Sequence, residues 1–171
     1  MKIIQRWVEA LEDRAERKDR QFIIMDDINS DRPEPYLVRS IVFKSKMFCI
    51  YIHRFLKSDK VVPHDHPWPF FTWIIAGKYL EMLYKLSNGN TKLNKYCNRK
   101  TGSIVFRRAD DIHRVVVDNS LPIERKREAV LSVCFIGPRE QEWSFYDKDL
   151  VIPWTEFLKI DKSDKNWEGH E

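Results

Sequence analysis

The sequence predicts an all-β barrel or sandwich led in by one amphipathic helix. Three features carry that reading. From Tyr36 onward, short runs rich in β-branched and aromatic residues follow one another, each closed by a polar turn. No helical pattern of useful length separates those runs, which argues against an alternating β/α fold. Only residues 1–20 carry apolar side chains at helical spacing.

In chain order, Ile3, Ile4, Trp7, Val8 and Leu11 form one helical stripe, and Glu9, Glu12, Asp13, Glu16 and Lys18 lie mostly off it. The stripe is expected to pack on the outside of the domain or on a partner subunit. The charged run Arg14–Arg20 is expected to fray or face solvent. Asp26–Pro35 is turn-rich and reads as a loop. Strands are expected at Tyr36–Phe43, Met47–Leu56, Phe70–Ile75, Lys78–Tyr84, Lys92–Cys97, Ser103–Phe106, Ile112–Val117, Ala129–Ile136 and Trp143–Tyr146. Turns fall at Lys57–Lys60, Ser87–Asn90, Asp118–Leu121 and Glu124–Glu128, the last expected to be solvated. The strand through Phe70–Ile75 is apolar on both faces, so one face is expected in a pocket and the other against a second sheet or subunit. A short helix is expected from Pro153, and Lys162–Glu171 reads as a loose tail. The resulting division is a helix and linker at 1–35, a barrel at 36–147 and an extension at 148–171.

Composition narrows the function classes. The chain has 171 residues, enough for one domain with its own core. No apolar run reaches the roughly 18–20 residues of a membrane span, and Met1–Glu12 lacks the pattern of a signal peptide. A cytoplasmic protein with no membrane partner is expected. The net charge of +4 is spread among mixed signs, so nucleic acid is not an expected partner. Cys49, Cys97 and Cys134 are odd in number and lack CxxC spacing, and they read as reduced thiols.

The chemistry is concentrated in Val62–Glu81. His64 and His66 are two apart, so on a strand both imidazoles share a face and can chelate one ion. His113 stands in a later predicted strand and offers a third donor, leaving open positions for substrate. Trp68 and Phe70 are expected to wall the pocket. His53, Arg54 and Arg108 are the candidates for substrate contact, the arginines because their planar fork binds carboxylate or phosphate. Glu81 is a weaker candidate for a displaced carboxylate ligand.

These residues resemble the cupin superfamily. Its first motif matches His64, His66 and Gly77 in register, with Phe70 where the family has Glu. Its second matches Gly102 and His113, with Arg108, Asp110 and Val117 in place of the usual Pro, Gly and Asn. The words His53–Asp59, His64–Phe70 (HDHPWPF) and Gly137–Trp143 followed by Pro153–Trp154 also resemble small cupin-like proteins of bacteria and phages. The resemblance implies a double-stranded β-helix jelly roll and a metal site of His64, His66 and His113. Without the Glu, that site is similar to the thiol dioxygenases, which hold iron(II) with three histidines. It implies iron(II), ahead of zinc, nickel or manganese, a small polar or anionic substrate, dioxygenase chemistry and a homodimer. Two alternatives stay open: a non-enzymatic small-ligand binder, and a metal-free sugar-nucleotide epimerase or isomerase using histidine as a base.

Overall fold

Period-two alternation organises the molecule. Each central strand sends every second side chain into an interior cavity and the others to the outer face of its sheet. The computed structural model describes residues 1–25 and 34–158. Residues 26–33 of the expected Asp26–Pro35 loop and the tail Lys162–Glu171 lie outside the described residues, and Pro35, expected in that loop, opens the second strand.

The elements run α1 (Lys2–Glu16), β1 (Gln21–Met25), β2 (Pro35–Lys44), β3 (Cys49–Phe55), β4 (Phe70–Ala76), β5 (Lys78–Ser87), β6 (Asn90–Lys100), β7 (Ile104–Arg107), β8 (His113–Val116), β9 (Val130–Ile136), β10 (Ser144–Asp147), β11 (Leu150–Pro153) and α2 (Trp154–Phe157). A 3₁₀ segment, Ile123–Glu128, precedes β9. One antiparallel sheet has the order β1-β2-β3-β9-β4-β7. The facing sheet is built from β6-β5-β8 and the β10–β11 hairpin. Isolated bridges from His64 to His113 and to Phe145 join those two pieces. The two antiparallel sheets form a double-stranded β-helix, as the resemblance implies.

The chain crosses between sheets at Gly77, which links β4 to β5 with φ +87°. A Cβ there would stand 3.2 Å from Val130, so both the left-handed backbone and the close approach call for glycine. β1 pairs with β2 and β11 pairs with β10, so strands extend beyond 36–147 at both ends. β6 forms a long, largely exposed edge rich in lysine and asparagine, a composition that discourages further strand pairing.

The helix forms as its stripe predicts, but it is rotated about its axis. Val8, Glu12 and Ala15 are buried, whereas Ile3, Trp7 and Leu11 are exposed. The cause is electrostatic. Arg54 projects from the outer face of β3 and is fully buried. A buried guanidinium needs a carboxylate, so Glu12 turns inward and accepts from Arg54 Nε at 3.1 and 3.2 Å and from Nη2 at 2.9 Å. The Arg127 carbonyl accepts from Arg54 Nη1 at 3.0 Å, and Arg127 itself pairs with Glu12 and Asp13. The 3₁₀ segment is therefore tied to the helix, where a solvated turn was expected. Around this ionic knot, Val8 packs with Ile52, Ile75, Leu131 and Val133.

Removing one partner of a buried pair leaves an uncompensated charge. Glu12→Ala is expected to lower unfolding free energy by about 3–5 kcal/mol, measured by urea denaturation. The double variant Glu12→Leu/Arg54→Met is expected to recover most of that loss.

Candidate metal centre

Three histidines meet because the backbone closes the second sheet at that point. The His64 N–H donates to the His113 carbonyl at 3.0 Å, and the His113 N–H donates to the His64 carbonyl at 2.9 Å. The His66 N–H donates to the Ala109 carbonyl at 3.0 Å. Alternation sends Asp65 the opposite way from its two histidine neighbours. There it accepts from the Ser144 N–H at 2.7 Å, Tyr146 at 2.8 Å and Gln141 Nε2 at 2.9 Å. Gln141 also donates to the carbonyls of His66 and Ala109. The 137–143 loop thus holds the His-x-His segment in place from behind.

One ring nitrogen from each of His64, His66 and His113 lies within 4.8 Å of the others. The Nε2 atoms of His66 and His113 are 2.8 Å apart. His113 Nδ1 lies 3.1 Å from Glu81 Oε1. A carboxylate can only accept, so Nδ1 carries the proton and the Nε2 lone pair faces the cavity. Glu81 also accepts from Arg99 Nε at 2.7 Å, and from Arg107 Nε and Nη2 at 2.8 and 2.6 Å. Burial raises the Glu81 carboxyl, but hydrogen bonds from His113 and Arg107 outweigh it and hold it down at about 2.

Burial keeps His53, His64 and His66 neutral. It lowers His64 to about 4, and lowers His53 and His66 well below the ordinary value. Neutral imidazole is the metal-binding form. His64 Nδ1 is buried with no hydrogen-bond partner among the described residues. An orphaned nitrogen, converging rings and a carboxylate behind one ligand all fit a divalent ion bound by three imidazoles.

The histidines line a cavity of about 170 Å³. Trp68, Phe70 and His53 also line it, together with Arg39, Asp59 and Trp143. The Phe70 ring packs edge-on against His66, with centroids 4.8 Å apart. His53 Nε2 accepts from Arg39 Nε at 3.1 Å, and its Nδ1 lies 3.3 Å from Cys134 Sγ. Arg39 also sits over the Tyr51 ring.

Arg54 and Arg108 are not among the cavity residues, which corrects their expected place at the substrate. Arg54 follows His53, so alternation points it to the outer face and into the Glu12 pair. Arg108 lies in the turn after β7, exposed and paired with Asp110. Glu81 likewise stands behind His113 and outside the three-nitrogen set. Arg39 was not singled out from sequence; its position two residues from inward-facing Leu37 on β2 is the signal that finds it. Trp143 enters because it belongs to an aromatic stack, Trp143 on Trp154 and Phe145 on Phe157, that ties the C-terminal hairpin and helix beside His64.

No protein-family profile matches the chain, and no curated protein matches it either. Several solved structures are similar at low identity. One is an uncharacterised conserved protein with a double-stranded β-helix domain from Klebsiella pneumoniae subsp. pneumoniae MGH 78578, 18% identical over 72% of this chain and 92% of that one, with TM-score 0.42. KdgF from Halomonas sp. is 17% identical over 70% and 94% of the two chains, with TM-score 0.45. Fe(II)-HppE with the alternative substrate (S)-1-HPP is 13% identical over 70% and 56%, with TM-score 0.44.

The buried histidines set a pH dependence. Between their ordinary value of 6.5 and the lowered folded values, the unfolded chain binds protons that the folded chain does not. Stability of the metal-free protein is therefore expected to fall as pH drops from about 6.5 toward about 4. Asp65, raised by burial, opposes this in part. Thermal unfolding across that range checks it, and His53→Asn is expected to flatten the slope.

Proposed function

We propose that this protein is a cytoplasmic, mononuclear metal enzyme of the cupin type, holding one divalent ion through His64, His66 and His113. The observation that carries the reading is the convergence of three imidazole nitrogens within 4.8 Å of one another in one cavity. The donor set contains no carboxylate, so a bound ion keeps its full positive charge and favours an anionic or thiolate partner. Iron(II) is the preferred ion, and when bound it supplies Lewis acidity and redox chemistry toward dioxygen.

The chain's own residues supply the rest. Glu81 fixes the His113 tautomer and aims Nε2 inward. Phe70 and Trp68 give the site an apolar wall that excludes water. Arg39 and His53 place a cation and a neutral imidazole along the same cavity, where they contact the polar end of a small substrate. A cavity of this size suits a molecule of metabolite scale rather than a polymer.

The His113–Glu81 pair also supports a second reading, a metal-free acid–base isomerase, because a histidine backed by a carboxylate is the core of such a base. Metal content separates the two. Untagged protein is expected to carry about one equivalent of a transition metal, by elemental analysis, after purification or anaerobic reconstitution with iron(II). Less than about a tenth of an equivalent under both conditions overturns the metal reading. His64→Ala, His66→Ala and His113→Ala are each expected to abolish loading. Glu81→Gln retains all three ligands and is expected to weaken metal affinity by about 10–100-fold, read by competition with a chelating dye.

A further inference from the structure

Helix α1 turns an apolar stripe toward solvent. Ile3, Trp7 and Leu11 recur every fourth residue along about 12 Å of its length. Ile3 is 72% exposed and Trp7 71%. Arg14 on the next turn and Lys18 just past the helix end are exposed beside Leu11, and the three line one shallow groove. The carboxylates of the helix do not offset these cations, because the barrel engages each of them. Arg54 holds Glu9 at 3.4 Å and Glu12 at 2.9 Å, Arg127 pairs with Asp13, and Lys126 reaches Glu16 at 2.9 Å. The pairs that seat the helix therefore draw its negative charge to one flank and leave an apolar stripe with a basic rim on the other.

A second exposed feature adjoins it. The far bank of the groove is Ile41 and Val42 of β2, and Val42 leads into the turn between β2 and β3. Turns that face water are ordinarily polar. This one reads Lys44, Ser45, Lys46, Met47, Phe48, with Met47 71% exposed. Phe48 stacks on the exposed Phe43 with ring centroids 4.9 Å apart. Ser45 fixes the turn: its Oγ donates to the Phe48 carbonyl at 2.9 Å and accepts from the Met47 and Phe48 N–H groups at 3.3 and 3.2 Å. The molecule thus holds a methionine tip outward, next to two lysines, on a well-bonded turn.

We infer that this surface docks on an anionic lipid membrane, the α1 stripe and the Met47 tip entering the headgroup layer together. The composition fits that occupant. Tryptophan beside isoleucine and leucine suits the boundary between water and hydrocarbon, and a basic rim attracts anionic headgroups. A protein partner needs polar groups that fix its register, whereas a lipid surface reads only depth and charge. One short stripe binds weakly by itself, but two apolar features carried on one rigid body insert as a pair. The expectation of no membrane partner rested on the lack of a spanning run. No helix among the described residues is long and apolar enough to cross a membrane, and a surface-bound helix needs no such length. The histidine cavity is lined from the opposite face of the six-stranded sheet, so the inference stands independently of the metal.

Flotation of the full chain with vesicles tests it. The chain is expected to float with vesicles of phosphatidylcholine containing about 30% phosphatidylserine, and to bind phosphatidylcholine alone at least about 10-fold more weakly. Trp7→Ser/Met47→Ser is expected to lower the partition coefficient by at least about 10-fold, with unchanged far-UV circular dichroism. Should that variant fail to fold, Arg14→Gln/Lys18→Gln, at exposed positions, is expected to lower it by about 10–30-fold. A wild type that stays in solution with the anionic vesicles overturns the inference, whether it sediments as a monomer or as a self-associated species. Equal binding to the two kinds of vesicle overturns it too, as does a folded variant that partitions like the wild type.

Discussion

The paired backbone hydrogen bonds between His64 and His113 are the contact on which the rest of the molecule turns. They join β8 to the segment that bridges onward to β10, and so close the second sheet over the first. The same two bonds fix the relative positions of two imidazoles. A site made this way needs little separate adjustment, because the strand pairing that stabilises the barrel also sets the donor geometry. His66 enters the arrangement by alternation from His64, and Asp65, facing the other way, anchors the segment to the 137–143 loop.

Two buried ionic groups stand on opposite sides of this framework and do different things. On the outer face, Arg54 draws Glu12 inward and thereby sets how the helix lies on the sheet. In the facing sheet, Glu81 is held by two arginines and by His113. Both satisfy the rule that a buried charge needs a partner with several hydrogen bonds. Arg54 directly follows His53, so one strand carries a helix anchor on one face and a cavity residue on the other. The helix is thereby fastened to a strand that forms the cavity wall.

Much of this was legible in the sequence, for reasons that differ by element. β3, β4, β5, β8 and β9 were legible because both faces carry apolar or aromatic side chains between clear turns. β1 and β11 were not: Gln21–Met25 follows a charged run, and Leu150–Pro153 is a short mate for β10, so neither shows enough alternation to read. The three histidines were legible because sequence spacing fixes which side of a strand they share. Closeness in sequence to a motif does not fix which face a side chain takes: parity with His53 turns Arg54 outward, and Arg108 lies in an exposed turn past the end of β7. Hydrophobicity alone ranks Glu12 as solvent-facing. Only a buried arginine from a distant strand makes that carboxylate the docking residue.

The position of negative charge is what distinguishes this centre chemically. Phe70 stands where the resembled motif has its glutamate, and its ring packs against two of the three histidines. A carboxylate there, facing a desolvated cavity, would need an ion or a cation beside it at all times. Phenylalanine needs neither, and neutral imidazoles tolerate the same burial at the cost only of a lowered pKa. The negative charge instead sits one layer back, on Glu81, where Arg99 and Arg107 compensate it in full. From there it acts on the site only through the His113 ring: it orients one ligand and enriches its electron density without lowering the charge that an ion would present to a substrate. The carboxylate thus stays compensated behind His113, while His64 and His66 face the cavity as neutral rings.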